Sequence, residues 1–396
     1  MPTVFENGES PFDFDHRYKD PVYTEDHDAW RVTLRAFVDR EIIPYVDEWD
    51  EAGEFPRDLY KKAANVGLIG IGFPEELGGT PVADPFFLLV TAEEMARCSS
   101  GGVNASLLVH TIGLPPVLAI GSKDMQQRIA PQVLSGEKIH ALAITESSGG
   151  SDVARLKTRA LRDGDQYVVN GSKMFITGGM RADFYTVAVR TGGEGATGIS
   201  LLLIERDRPG FSRTSLKKQG WWASDTAALY FDDVRVPVEN LIGEENQGFA
   251  GIMKNFNNER LWMSASANAL ARVCLEDALV WARSRQTFGQ RLADHQVVRH
   301  KFAEMARNIN ATQAYLEQCA GRVALGERPV ADLSLLKVQA TMTMEYCARE
   351  AMQILGGAGY MRGCRVERIY REVRVMAIGG GSEEIMRDLV ARQMGV

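Results

Sequence analysis

Apolar and polar positions follow two different rhythms along the chain, and the changes of rhythm divide it into three parts. From Thr24 to about Lys138 apolar residues recur at helical spacing. Trp30, Leu34, Phe37 and Val38 share one face, and Thr24 ahead of Glu25 and Asp26 suits a helix start. Breaks at Phe73–Gly79, Ser99–Gly102 and Ser135–Glu137 cut this stretch into several helices. Between about Ile139 and Ile242 the period shortens to that of strands. Tyr167–Val169 and Lys173–Thr177 flank Asn170-Gly171, a pair that accepts positive φ, so the spacing predicts a hairpin turning at these two residues. Phe184–Arg190, Ile199–Glu205 and Ala227–Phe231 read as further strands. After Gly248 the helical period returns, with apolar stripes from Phe249 to Ala282 and from Gln296 to Leu325, the mark of a helix bundle. The expected domains are residues 1–138, 139–242 and 243–396, in the order helical, β, helical.

Composition narrows the function classes. A chain of 396 residues with 45% hydrophobic composition can bury a large core. Its net charge of −7, with both signs interspersed, shows no electrostatic footprint for nucleic acid. The five cysteines (Cys98, Cys274, Cys319, Cys347 and Cys364) are odd in number and never at CxxC spacing. They read as reduced thiols in a cytoplasmic protein, with neither a disulfide framework nor a metal site. The N-terminus has no basic start followed by an apolar block, and no apolar run approaches membrane-spanning length, so neither a signal peptide nor a membrane span is expected.

Three segments could carry chemistry. Ala141–Asp152 (ALAITESSGGSD) ends a β-like run in a Gly- and Ser-rich loop, whose N–H groups and hydroxyls can donate to phosphate or to the polar edge of a ring; taken alone it reads as a surface turn. Arg285–Gly289 (RQTFG) offers a guanidinium for a pyrophosphate and an aromatic for a ring, or a plain corner between helices. Gln353–Tyr360 (QILGGAGY) lacks a preceding strand, so it is not a dinucleotide fingerprint and reads as a glycine-capped helix end.

Taken together, "ITESSGGSD", "NGSKMFITGG", "DDVRVPVENLIGEENQGF", "RQTFGQRLADHQ" and "QILGGAGY" stand in an order and at a spacing that resemble the acyl-CoA dehydrogenase family. The resemblance runs from about residue 25 to the C-terminus. It implies an α+β multidomain fold, with an N-terminal helical domain, a central small β-barrel-like domain and a C-terminal four-helix bundle. It also implies FAD as cofactor, an acyl-CoA as substrate, an electron-transfer flavoprotein as partner, and a homo-oligomer, usually a tetramer built as a dimer of dimers. Leu142, Ile144 and Thr145 would line the flavin, with Thr145 on its pyrimidine edge. Gly150 and Ser151 would lie near the pyrophosphate and the pantetheine arm, and Phe175, Ile176 and Thr177 would back the ring. Arg285, Thr287, Phe288, Leu292, His295 and Gln296, with Gln353, Ile354, Leu355, Gly356 and Gly357, would hold the adenosine diphosphate half, mainly that of a neighbouring subunit's FAD. Ser382 and Glu384 would also border the cofactor. Ser147-Ser148-Gly149 departs from the family's commoner TEPGAGSD loop.

The family's frequent catalytic glutamate, in a C-terminal YEGT, is missing. Gly379-Gly380-Gly381-Ser382 stands there instead, between a strand-like run and the first turn of a helix, with Gly380 at the carboxylate's position. The helix after Gly248 offers a replacement. Phe249, Ile252, Phe256, Glu259, Met263 and Leu270 recur at three- and four-residue steps or their sum, which puts Glu259 in an apolar stripe, where an ionised carboxylate is costly. A buried ion pair or an edge position reaching water would account for it. Equally, partial burial would raise its pKa and suit a general base. Isovaleryl- and long-chain acyl-CoA dehydrogenases resemble the chain in placing a glutamate before a helix arginine, as in Glu259-Arg260, beside a small residue at the C-terminal position. The resemblance then implies Glu259 as base, the glycines as removed bulk, and the Gly380 main-chain N–H as donor to the thioester oxygen. Asn257, Asn258 and Arg260 would bind the CoA arm, Asn257 replacing a more frequent aspartate. The expected reaction is α,β-dehydrogenation of a medium-to-long or methyl-branched acyl-CoA to the trans-2-enoyl-CoA. An acyl-CoA oxidase, a flavin monooxygenase or a non-catalytic FAD- or CoA-binding homologue are the alternatives.

Overall fold

The computed structural model describes residues 22–396; the side chains of Ala250 and of residues 253–258 also lie outside the description. Eight helices come first: α1 (Glu25–Glu41), α2 (Val46–Ala52), α3 (Asp58–Asn65), α4 (Phe86–Ala96), α5 (Gly101–Leu107), α6 (His110–Gly113), α7 (Pro115–Ile120) and α8 (Lys123–Leu134). Then follow strands β1 (His140–Ala143), β2 (Arg159–Asp163), β3 (Gln166–Thr177), β4 (Phe184–Arg190), β5 (Ile199–Glu205), β6 (Phe211–Ser215), β7 (Thr226–Pro237) and β8 (Leu241–Ile242). The C-terminal part holds α9 (Gly248–Ser284), a small hairpin of β9 (Gln286–Thr287) and β10 (Gln290–Arg291), then α10 (Gln296–Ala324), α11 (Val330–Leu355), α12 (Arg365–Ile378) and α13 (Glu383–Gln393). The helical, β, helical order matches the expectation.

The chain divides into two compact units. One comprises Met1–Asp47, Asp84–Gly101 and Arg260–Val396. In it α1 packs on α4, while α11 packs against α10, α12 and α13. Its core interleaves Phe86, Leu89 and Ala92 of α4 with Leu261 and Ala265 of α9, Leu316 and Cys319 of α10, and Leu333 and Leu336 of α11. These are the i, i+3, i+4 stripes read from the sequence, buried where helices meet.

The other unit comprises Glu48–Ala83 and Gly102–Glu259 and is built on the sheet. Its strand order is β6-β7-β3-β2-β4-β5-β8, an open path, with β1 joining β4 in parallel. β4 and β5 coincide with the expected strands and are buried along almost their whole length, as strands covered on both faces are.

Two local expectations fail. Asn170-Gly171 does not turn a hairpin: β3 runs unbroken from Gln166 to Thr177, and the pair sits at a register shift in its pairing with β7. Gly171 has φ 142°, and a Cβ there would fall 2.7 Å from Cα of Thr158, so the glycine serves a bulge. The two-residue turn is Gly164-Asp165 between β2 and β3, where Gly164 has φ 64°. The strand-like run before the glycine triplet is the end of α12, with Val373, Met376 and Ala377 buried at helical spacing.

Candidate active site

The loop after β1 is fastened to β3 by backbone and side chain together. The Met174 N–H donates to the Thr145 carbonyl at 2.8 Å, which sets Thr145 beside Phe175. One residue further back, buried Lys173 donates from Nζ to the Ile144 carbonyl at 3.0 Å and to Glu146 Oε1 at 2.8 Å. Glu146 also accepts from the Lys157 and Thr158 backbone N–H groups at 2.6 and 2.9 Å, and from the Thr158 hydroxyl at 2.7 Å. Burial pulls the Glu146 carboxyl upward, but the Lys173 charge and these donors outweigh it and hold its pKa below the ordinary value. Burial pushes the Lys173 ammonium down to about 8, with Glu146 opposing the fall.

This network presents an open edge. Phe175 has φ 62° and is 66% exposed, an arrangement that a bulky residue adopts only at some cost. Leu142, Thr145 and Thr177 are half-buried, while Ile144 and Ile176 are buried. Gly150 and Ser151 are exposed in the loop, and a Cβ on Gly150 would make only an ordinary 3.6 Å contact with Thr145 Cγ2. Ser148, Gly149, Asp152, Arg155, Leu156 and Lys157 line a small pocket beside the loop. An exposed aromatic side chain, preceded by a residue hydrogen-bonded to the carbonyl of half-buried Thr145, fits a flat heteroaromatic ring with a polar edge, as a flavin has.

The corner between α9 and α10 is a tight, preformed piece. Phe288 (φ 50°) and Gly289 (φ 78°) turn the β9–β10 hairpin, and Phe288 is 98% exposed. His295 ties the hairpin down, 3.0 Å from the Thr287 hydroxyl and 3.0 Å from Gln290 Nε2, and the Leu292 N–H donates to the Arg285 carbonyl at 2.7 Å. Arg285 lies over the Trp281 ring, its guanidinium carbon 5.7 Å from the ring centre, so it stands preorganised and exposed. The structure thus gathers Arg285, Thr287, Phe288, Leu292, His295 and Gln296 on one corner.

At the other glycine motif α11 ends at Leu355 with Gly356 in positive φ as its cap, the reading the sequence favoured. Gln353, Gly356 and Gly357 are exposed, Ile354 and Leu355 buried, and a Cβ on either glycine would meet nothing within 4 Å. Among the described residues, none stands where a side chain on the second glycine would go.

The glycine triplet links α12 to α13. Gly380 and Gly381 have φ 64° and 102°; the conformation at Gly381 demands glycine, whereas that at Gly380 is the left-handed one that Phe175 and Phe288 also adopt. Ser382 then caps α13, its Oγ accepting from the Ile385 N–H at 3.4 Å. The exposed Glu384 carboxyl is held low by its own backbone N–H and the Ser382 hydroxyl. Glu259 is half-buried on α9, on the face that buries Ile252, Met263 and Leu270, and Arg260 after it is buried. The side chains of Asn257 and Asn258 lie outside the described residues.

The sequence reading missed two buried lysines: Lys173 beneath the loop after β1, and Lys337 on α11, which donates to the carbonyls of Ala377 and Gly381. For Lys173 a signal existed, since it continues the inward alternation of Tyr167 and Val169. Lys337 gave none.

Family models for the N-terminal, middle and C-terminal domains of acyl-CoA dehydrogenase match residues 24–137, 141–234 and 246–395. The mitochondrial long-chain specific acyl-CoA dehydrogenase of Rattus norvegicus is 37% identical, covering 94% of this chain and 87% of its own. The mitochondrial isobutyryl-CoA dehydrogenase of Dictyostelium discoideum is 34% identical over 94% of this chain and 89% of its own. The crystal structure of an acyl-CoA dehydrogenase from Geobacillus kaustophilus superposes with a TM-score of 0.91 at 35% identity, covering 94% of this chain and 99% of that one. Three successive domain matches in family order, with relatives 34–37% identical over almost the whole length, make this chain a member of the acyl-CoA dehydrogenase family of oxidoreductases.

Proposed function

We propose that the protein is an FAD-dependent acyl-CoA dehydrogenase that converts a medium-to-long or methyl-branched acyl-CoA into its trans-2-enoyl-CoA and passes the electrons to an electron-transfer flavoprotein. The family generally uses FAD and acyl-CoA thioesters. The observation that carries the reading here is the Met174–Thr145 hydrogen bond, which joins the loop carrying Thr145 to the residue before the exposed Phe175. Leu142, Ile144, Thr145, Gly150, Ser151 and Phe175–Thr177 would hold the flavin, and Ser382 and Glu384 would border it. Phe288, exposed at a strained turn beside Arg285, supports a role across a subunit contact, in which Arg285–Gln296 and Gln353–Gly357 take a neighbour's adenosine diphosphate within a homotetramer.

Bound there, FAD supplies the acceptor for a hydride leaving the β-carbon. Glu259 takes the pro-R α-proton, its half-buried place on an apolar face favouring a carboxylate ready to accept one. The Gly380 main-chain N–H donates to the thioester oxygen and stabilises the developing enolate charge. Asn257, Asn258, Arg260 and Ser151 bind the CoA arm. The long-chain and isobutyryl relatives support the choice of acyl groups, and the reduced-thiol composition supports a cytoplasmic site.

The test is an anaerobic titration of the purified protein with acyl-CoAs of graded length and branching. Visible flavin absorption that bleaches with a subset of them is expected. Bound FAD that none of them bleaches would contradict the reading, and rapid reoxidation of the reduced protein by air would redirect it to an oxidase.

A further inference from the structure

We propose that Lys337 is a positioning residue that fixes the Gly380 N–H for the thioester oxygen, an inference that rests on the role given to Gly380 above. Lys337 is fully buried on α11, and its Nζ donates to the Gly381 carbonyl at 2.7 Å and to the Ala377 carbonyl at 3.3 Å. These two acceptors bracket Gly379-Gly380. The ammonium therefore grips the backbone on both sides of the one N–H that would stabilise the enolate.

The grip answers a need created by the glycines themselves. A run of three has no side chains to pack and loses more conformational freedom on ordering than any other sequence. An oxyanion donor works only if it is held in place before charge develops, because reorganisation at that moment is what the site must avoid. Ser382 anchors the far side as the cap of α13, and the Gly379 N–H closes α12 on the Val375 carbonyl at 2.8 Å. Between them the Gly381 carbonyl is held from a third helix by Lys337. A cation at the end of α12 also complements the partial negative charge of its last carbonyls. Burying an ammonium is costly, and a methionine of similar length would avoid that cost. Its presence at this spot, on these two oxygens, matches a demand for geometry.

The alternative is that Lys337 only joins α11 to the α12–α13 turn. The holoenzyme and its Lys337→Met variant, bound to 3-thiaoctanoyl-CoA, separate the two. Sulfur in place of the β-carbon allows loss of the α-proton but no dehydrogenation, and the resulting anion over oxidised flavin absorbs at long wavelength. The pH midpoint of that band reports enolate stabilisation. The expected result is a midpoint raised by about one unit or more, with analogue affinity near wild type. In turnover, kcat falls roughly 10- to 100-fold with little change in KM. Lys337→Gln, which keeps an N–H donor on a shorter neutral chain, carries the test if the methionine variant does not fold, and its midpoint shifts in the same direction. An unchanged midpoint in a folded variant overturns the positioning role. A wild-type enzyme that binds the analogue without forming the band overturns the Gly380 reading, and the positioning role falls with it.

Discussion

Lys173 Nζ stands 2.8 Å from Glu146 Oε1, with both side chains buried, and the pair holds the loop after β1 against β3. Glu146 also receives two backbone N–H groups and a hydroxyl, so its removal strands a buried charge and two amides together. Glu146→Ala is expected to cost about 3–5 kcal/mol of stability and to release FAD on gel filtration. Glu146→Gln, which keeps the shape and loses the charge, costs less. Chemical denaturation followed by tryptophan fluorescence checks both, and a Glu146→Ala protein as stable as wild type would contradict the account.

Two buried histidines set the acid limit of the sheet unit. His110 Nε2 donates to the Ile69 carbonyl at 2.8 Å, and His140 Nε2 lies 2.8 Å from the Thr186 hydroxyl. Thr186 gives its own proton to the Gly113 carbonyl, so His140 must be the donor through Nε2. That leaves His140 Nδ1 buried without a partner, where a second proton would find no acceptor. Burial lowers the pKa of His110 to about 4, and burial with the neighbouring His110 lowers that of His140 to about 3. Unfolded histidine binds its proton near pH 6.5, so between that value and these the unfolded chain holds more protons. Stability is therefore fully present above about pH 6.5 and is lost as the pH falls, by about 1.4 kcal/mol per unit for each histidine. Urea unfolding at pH 7, 6 and 5 should show that slope, and His140→Gln should remove its share.

The glycine triplet is not uniform. At Gly381 the backbone sits at φ 102°, and a Cβ would also meet Met386 Cε at 2.5 Å. The methionine tip can move, whereas the backbone cannot relax, so Gly381→Ala should cost about 1–3 kcal/mol. Gly379 has φ −67°, and its Cβ would lie 3.3 Å from the Val375 carbonyl. Gly379→Ala should be the milder change, and equal melting temperatures for the two variants would be inconsistent with this turn.

How far the fold could be read from sequence follows from how local its causes are. β4 and β5 declare themselves as continuous apolar runs, and α9 and α10 by apolar stripes at helical spacing, causes contained within each element. Asn170-Gly171 misleads because a pair suited to a hairpin also suits a bulge, and only pairing with β7 and the nearness of Thr158 decide between them. The end of α12 misleads because a short apolar run rich in branched residues has no period of its own. In the site, the glycine and aromatic motifs were legible as composition, whereas the left-handed backbone at Phe175 and Phe288 was not. Lys337 was invisible because the carbonyls it holds lie some 40 residues further along the chain. The triplet also has a cause the sequence did not suggest: the backbone at Gly381, with φ 102°, requires glycine whatever space surrounds it.

Transfer of the α-proton to Glu259 is measured by an anaerobic flavin spectrum of Glu259→Gln mixed with the best acyl-CoA substrate. Glu259 ends one compact unit on the buried face of α9, and glutamine there keeps the shape while abolishing the base. With Glu259 as the base, the variant retains FAD and binds the acyl-CoA, but reductive bleaching slows by at least about 100-fold, within the range ascribed to a positioned general base. Bleaching at the wild-type rate would place the base on another residue than Glu259.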